Sequence, residues 1–334
     1  MSATDNRIYR VVATPGSPEV TLEPAWEQGA RAGLPPGLTQ ALPLTLGGSV
    51  FLLGYDKASD RASVYELTAG APSIVPGKAP ELVGGPWDLL DVFTLGDEPY
   101  LVAYSAQRGI FNFYHVKPDW TLSPPYSVVQ TRMTSAVGFT TLKAFTSIRS
   151  QYLFGYNAET GTVGVWSVTV RPTSIEARPP LHAANSWYWQ WARGWTRFAF
   201  FQLGGANFFL KTNVVKLNVN IDHLQDDPAD GSVEVGTHLE SQLPDAIAID
   251  LVAPLLSAHG DVHFMTYVAK SGIAKVYRVH GDCRGWTQVG AGTTPSGSTH
   301  LAPYRIGDDV YVLFYSSVPT SIPRPKRRAS RSTE

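Results

Sequence analysis

The sequence predicts an all-β ring, a single six-bladed β-propeller of four-stranded antiparallel blades, and three observations carry that prediction. Tyrosines ten residues apart recur roughly every fifty residues, as Tyr55/Tyr65, Tyr104/Tyr114, Tyr156/Trp166 and Tyr267/Tyr277. Each pair lies in an apolar alternation such as FLLGYDKASDRASVYEL, the period-2 pattern of strands with one buried face. A repeat of this length built from strands is the signature of a radial propeller. The third observation is at the two ends of the chain: Arg7–Val11 (RIYRV) matches Lys275–Val279 (KVYRV), while the last copy, THLAPYRIGDDVYVLFYSS, stops after its second strand.

Six copies superpose on anchors Tyr55, Tyr104, Tyr156, Thr212, Tyr267 and Tyr315 in the second strand, separated by 49, 52, 56, 55 and 48 residues. Four residues before each anchor stand Phe51, Tyr100, Tyr152, Phe208, His263 and Tyr311; seven further back stand Leu44, Phe93, Phe145, Phe201, Leu256 and Tyr304. Turn residues separate the strands, among them Gly47-Gly48, Gly96-Asp97 and Ser271-Gly272. The N-terminal segment is expected to supply the third strand of the sixth blade and Val20–Trp26 its fourth, closing the ring with no exposed edge. The expected domain is residues 1–318, followed by a disordered basic tail, 319–334, which includes Lys326, Arg327, Arg328 and Ser330.

Composition agrees with this fold. Thirty glycines and 25 prolines imply many turns, a 43% hydrophobic fraction suffices for a large core, and 16% of residues are charged. A net charge of -1 gives no field to recruit nucleic acid or an anionic membrane, so neither is expected as a partner. Cys283 is the single cysteine, which excludes an intramolecular disulfide scaffold. The opening MSATDNRIYRVV lacks the layout of a secretory signal and no apolar run reaches the ~18 residues of a membrane span. The expectation is a cytoplasmic protein.

Each blade opens on a pattern close to Gly-x-Thr, as at Gly37–Thr39, Gly138–Thr140, Gly194–Thr196 and Gly297–Thr299, which places these residues around one mouth of the central channel. The whole chain resembles in architecture the six-bladed propellers of fucose-type and tachylectin-like lectins. It also resembles single-ring propeller enzymes of natural-product pathways such as the hetero-Diels-Alderases. The resemblance implies either sugar binding or a cofactor-independent cyclisation, isomerisation or elimination, and no functional residue carries over from it.

The polar residues at the mouth differ from blade to blade where the scaffold repeats, which points to one composite site rather than six equivalent ones. The candidates for catalysis are Arg197, His300 and Asp88; those for binding a substrate are Trp87, Trp195, Trp191, Gln40 and Lys143. Arginine and histidine there would stabilise charge developing on an oxygen, and tryptophans would stack on a flat ligand. Lys57 is expected on a peripheral loop. No cofactor or metal is implied by any motif: no nucleophile elbow, phosphate loop, dinucleotide fingerprint or zinc-protease helix is present.

Blade four deviates most. Trp187, Trp189, Trp191 and Trp195 crowd its start, and Thr212 and Asp222 replace its two tyrosines. The acidic run Asp222, Asp226, Asp227, Asp230 has calcium-type oxygen donors, but its spacing favours a solvated turn. The partner expected first is a small apolar or aromatic molecule in the central channel, with a glycan, or a protein at the rim, as alternatives.

Overall fold

A computed structural model of the chain describes residues 6–13, 17–27, 34–76, 78–95, 98–123, 126–128, 138–146, 151–171, 174–178, 188–213, 216, 218–226, 233–241, 243, 248–256 and 261–317. These residues form six antiparallel sheets and no α-helix. Blade 1 comprises β3 (Gln40–Leu46), β4 (Ser49–Asp56), β5 (Arg61–Leu67) and β6 (Ser73–Ile74). Blade 2 comprises β7 (Leu89–Leu95), β8 (Glu98–Ser105), β9 (Ile110–His115) and β10 (Tyr126–Val128). Blade 3 comprises β11 (Thr141–Thr146), β12 (Gln151–Tyr156), β13 (Thr162–Arg171) and β14 (Ser174–Arg178). It departs from the four-strand expectation by a fifth short strand, β15 (Tyr188–Gln190), which pairs the first part of the long β13.

Blade 4 comprises β16 (Trp195–Leu203), β17 (Ala206–Asn213), β18 (Asn218–Asp226) and β19 (Val233–Ser241); blade 5 comprises β20 (Leu251–Leu256), β21 (Val262–Val268), β22 (Ile273–Val279) and β23 (Trp286–Thr293). Blade 6 joins the two ends of the chain: β24 (His300–Ile306) and β25 (Asp309–Tyr315) are followed in space by β1 (Arg7–Ala13) and β2 (Val20–Glu27). Arg7↔Phe314 through Val11↔Val310 are in register, so the N-terminal strand completes the blade as its sequence match to β22 predicts.

Each seam between neighbouring blades holds its own hydrophobic cluster, six in all. The anchors lie one per second strand, and all six are buried. Seven-residue spacing puts an aromatic pair at the hairpin end of several blades, where Phe93/Tyr100, Phe145/Tyr152, Phe201/Phe208 and Tyr304/Tyr311 stack within 20° of parallel. Blade 5 differs from the expected register. Its hairpin is longer by one residue, so His263 faces Leu255 rather than Leu256.

The anchor hydroxyl does more than fill space. Tyr55, Tyr104, Tyr156, Tyr267 and Tyr315 accept the main-chain N–H of Trp87, Phe139, Trp195, Ser298 and Leu38, each at the opening of the next blade, over 2.9 to 3.3 Å. Tyr156, Tyr267 and Tyr315 also donate to a carbonyl of the same connection, those of Ala192, Pro295 and Pro35. A buried N–H must find an acceptor, and a phenol at the end of a rigid ring supplies one at fixed reach. Gly37, Gly138, Gly194 and Gly297 sit at φ between +81° and +97°, where a side chain would be strained. They donate to the carbonyls of Ser317, Ala106, Ala158 and Ala269 in the preceding blade. The Gly-x-Thr pattern is therefore a seam device.

Candidate functional site

The third residue of that motif explains most of the mouth. The Thr39 and Thr140 hydroxyls donate to the carbonyls of Tyr55 and Tyr156, and the Thr39, Thr140 and Thr299 hydroxyls accept the N–H of Lys57, Ala158 and Ser317. In blades 2 and 5 the carboxylates of Asp88 and Asp250 accept the corresponding N–H groups of Ala106 and Ala269, both at 2.6 Å. Asp88 is thus first a cap on the second strand. Burial alone would raise its pKa; the hydrogen bond from Lys57, with the Ala106 N–H, lowers it below the usual carboxylate value. Lys57 is not a peripheral residue, because its Nζ lies 2.5 Å from Asp88 Oδ1.

One position further on, long polar side chains cross the seams. Gln40 Nε2 donates to Asp88 O at 3.4 Å, and Arg197 Nε donates to Asp250 O. His300 Nε2 lies 2.9 Å from Thr39 O, and since a carbonyl only accepts, Nε2 carries the proton and Nδ1 accepts from the Thr299 hydroxyl at 2.9 Å. Desolvation lowers the pKa of both Arg197 and His300 from their ordinary values. The three candidate catalytic side chains therefore occupy three different seams, with no hydrogen bond joining them among the described contacts. Each makes contacts from one blade to the next in its own seam.

The tryptophans are likewise seam residues. Trp87 is 1% exposed, with Nε1 donating to Leu82 O at 3.1 Å and the Arg108 guanidinium 5.1 Å from its ring. Trp195 is 4% exposed, so neither ring offers a face to a ligand. Trp195 and the half-buried Trp191 instead enclose the ammonium of Lys211, at 4.5 and 3.7 Å from their centroids. Trp187 lies outside the described residues, as does the side chain of Trp189.

Lys211 pairs with Asp222 in the interior of blade 4, both under 5% exposed. Desolvation lowers the lysine pKa and raises that of the carboxyl, each pulling toward the neutral form against their mutual attraction. Asp222 is therefore a buried strand residue and does not belong to the solvated turn expected for the acidic run. Asp227 and Asp230 lie outside the described residues, and no cluster of three metal-ligating side chains occurs among the described ones.

A cavity of about 500 Å³ lies elsewhere in the channel, between the innermost strands of blades 3 to 6. Phe198 and Phe200 of β16, Pro254 of β20, and Pro303, Tyr304 and Arg305 of β24 line it, with Lys143 of β11 and Val310 of β25. It extends from mid-strand toward the hairpin end, away from the Gly-x-Thr mouth. Lys143 Nζ is 2.7 Å from Asp91 Oδ1, and Asp91 Oδ2 accepts the Ala144 N–H at 2.6 Å, so the pair ties blades 2 and 3 on the channel wall. Of the sequence candidates, Lys143 alone borders this space. A signal for the rest was present. Pro43, Pro254 and Pro303 occupy one aligned position of the innermost strand, and proline is tolerated where a strand edge faces no partner.

Two further cavities lie off the axis, about 430 Å³ beside Lys78, Val83 and Trp120 at the outside of blades 1 and 2, and about 220 Å³ beside Ile249, Thr266 and Tyr277 near the blade 4–5 connection. No helix among the described residues is long and apolar enough to cross a membrane.

No family model matches the chain, and no curated protein matches it. Solved structures do. A candidate 6-phosphogluconolactonase from Bacteroides fragilis NCTC 9343 is 13% identical over 89% of this chain and 84% of that chain, with a TM-score of 0.53. A second, from Bacteroides uniformis ATCC 8492, is 15% identical over 89% and 85%, with a TM-score of 0.52. A candidate exo-beta-1,3-galactanase from Bifidobacterium bifidum s17 is 9% identical over 79% and 94%, at 0.49. The two Bacteroides likenesses agree with the class that the sheets define, an all-β six-bladed propeller, and at such identities they show the fold alone. They give no support to the lectin or hetero-Diels-Alderase resemblance beyond the ring itself.

Proposed function

We propose that this chain is a small-molecule-binding propeller with one asymmetric site, the cavity in the central channel. The observation that carries this reading is the cavity itself: about 500 Å³, walled by aromatic and prolyl rings with two basic side chains at its border. Its size lies in the range of ligand sites, which are mostly apolar with a few placed polar groups. Four of the six blades contribute unequal residues to it, so the ring offers one such composite space rather than six copies.

Such a wall suits holding a flat molecule in one pose. Any reaction there would draw on orientation, worth several kcal/mol when reacting atoms are held in contact, and this is how the channel would direct a cyclisation or isomerisation. The multi-pocket lectin reading asks for accessible tryptophans at repeated seam sites, whereas Trp87, Trp166 and Trp195 are buried.

Titration with naphthalene-2-carboxamide, a flat neutral probe, tests the reading by isothermal calorimetry. One site per chain is expected. Val310→Trp, which fills the cavity, and Phe200→Ala, which enlarges it, should each weaken binding at least tenfold. Several equivalent sites per chain, or affinity unchanged in both variants, would overturn it.

A further inference from the structure

We infer that the channel cavity selects a ligand whose flat apolar body ends in one anionic group, with a carboxylate as the simplest case. The inference rests on the channel reading above and concerns charge at that same site. Its walls are apolar rings: Phe198, Phe200, Pro254 and Pro303, with Tyr304 presenting its ring because its hydroxyl already donates to Thr68 O at 2.9 Å. The charged residues that line the cavity are both basic, Lys143 toward mid-channel and Arg305 at the hairpin end.

Acids near the cavity are already engaged or face solvent. Asp91 spends Oδ1 on Lys143 and Oδ2 on the Ala144 N–H. Asp309, beside Val310, takes the Arg10 guanidinium at 2.7 Å. Asp308 is 90% exposed at the side chain and stands 3.9 Å from Arg305, too far for a hydrogen bond. Arg305 itself donates one N–H to Gly307 O, at 3.1 Å. A guanidinium carries five N–H groups in a planar fork, so an edge suited to bidentate contact with a carboxylate is left over. Lys143 has three N–H groups and spends one on Asp91. Lys143 is balanced by Asp91, so Arg305 is the cation at the wall with no described carboxylate within hydrogen-bond reach.

The test compares 2-naphthoate with naphthalene-2-carboxamide, which share shape and differ in charge, by calorimetry at low salt. Naphthoate should bind at least tenfold more tightly, and the ratio should shrink as salt is raised. Arg305 is exposed, so its replacement leaves the fold intact. Arg305→Gln should weaken naphthoate binding far more than binding of the amide and so bring the two affinities together, and Arg305→Lys should keep part of the preference. Equal affinities in the parent protein, or an Arg305→Gln effect equal for both probes, overturn the charge inference while the cavity reading stands. If neither probe binds, the cavity reading fails first and this inference with it.

Discussion

Arg197 of blade 4 donates from Nε to the main-chain oxygen of Asp250 in blade 5, across the seam where the anchor tyrosine is replaced by Thr212. At the other five seams a tyrosine hydroxyl accepts an N–H of the next blade. Thr212 is 1% exposed and its hydroxyl finds no partner. An arginine from the channel side thus supplies, in different chemistry, the link that a phenol supplies elsewhere. Arg197→Ala should lower stability by about 1.5–3 kcal/mol, the cost of losing a hydrogen bond to a charged group, read as the shift in urea midpoint at constant slope. Parental stability would mean that the seam is held without it.

The five tyrosine latches make a graded series. Tyr156→Phe, Tyr267→Phe and Tyr315→Phe keep the ring packing and leave a buried N–H and a carbonyl unpaired, so each should cost about 1–3 kcal/mol. Tyr104→Ala, Tyr156→Ala and Tyr267→Ala remove the ring as well and should cost about 3–5 kcal/mol. Equal losses in the Phe and Ala variants would assign the whole effect to the hydroxyl.

Blade 4 carries a second substitution of the repeat, the Lys211–Asp222 pair between aromatic walls. Lys211→Met leaves a carboxylate buried without its cation and should cost about 3–5 kcal/mol, whereas Lys211→Met combined with Asp222→Leu should recover most or all of it. Additive losses in the double variant would show that the two residues do not act as a pair.

Two histidines should give the ring a pH dependence in mild acid. Desolvation lowers the folded-state pKa of both His300 and His263, while the unfolded chain titrates near ~6.5. Below ~6.5 the unfolded state therefore binds more protons than the folded one, and stability falls as pH drops until the folded pKa is passed. Above ~6.5 both states are neutral and the histidines contribute no slope. Each should contribute at most about 1.4 kcal/mol per pH unit. His300→Gln and His263→Gln should each flatten the stability profile between pH 6.5 and 5; profiles parallel to the parent would show that neither histidine is the source.

The ring was legible because its demands are local and repeated: a phenol at fixed reach, a glycine at positive φ, and stacked rings seven residues apart leave visible copies. Blade 4 was not, because a buried lysine and aspartate look in sequence like any exposed pair. Their burial follows from Trp191 and Trp195, which come from a segment before the strand that carries Lys211. The mouth is hard to read for a related reason. Gln40, Arg197 and His300 vary as ligand-binding residues vary, yet each solves its own seam. The channel cavity is assembled from four inner strands far apart in the chain, and only the aligned prolines hint at the face that lines it.

Closure of the ring is open to the most direct test. β1 pairs on one side with β25 and on the other with β2, and Ile8 and Tyr9 each enter a different seam cluster, with blade 1 and blade 5 respectively. Ser316 N–H also donates to Asn6 Oδ1 at 2.9 Å, fastening the two ends of the blade. Deleting residues 1–13 removes all of this at once: β25 is left with an open edge, β2 loses its neighbour, and two hydrophobic clusters open to water. Unpaired strand edges next to exposed apolar surface template association. The truncated chain should aggregate, or should melt well below the full chain, with light scattering rising at concentrations where the full chain stays monodisperse. Adding residues 1–27 in trans as a peptide should restore part of the loss if strand insertion is the cause. A truncated chain that stays monodisperse and melts with the parent would show that the ring does not need its shared blade.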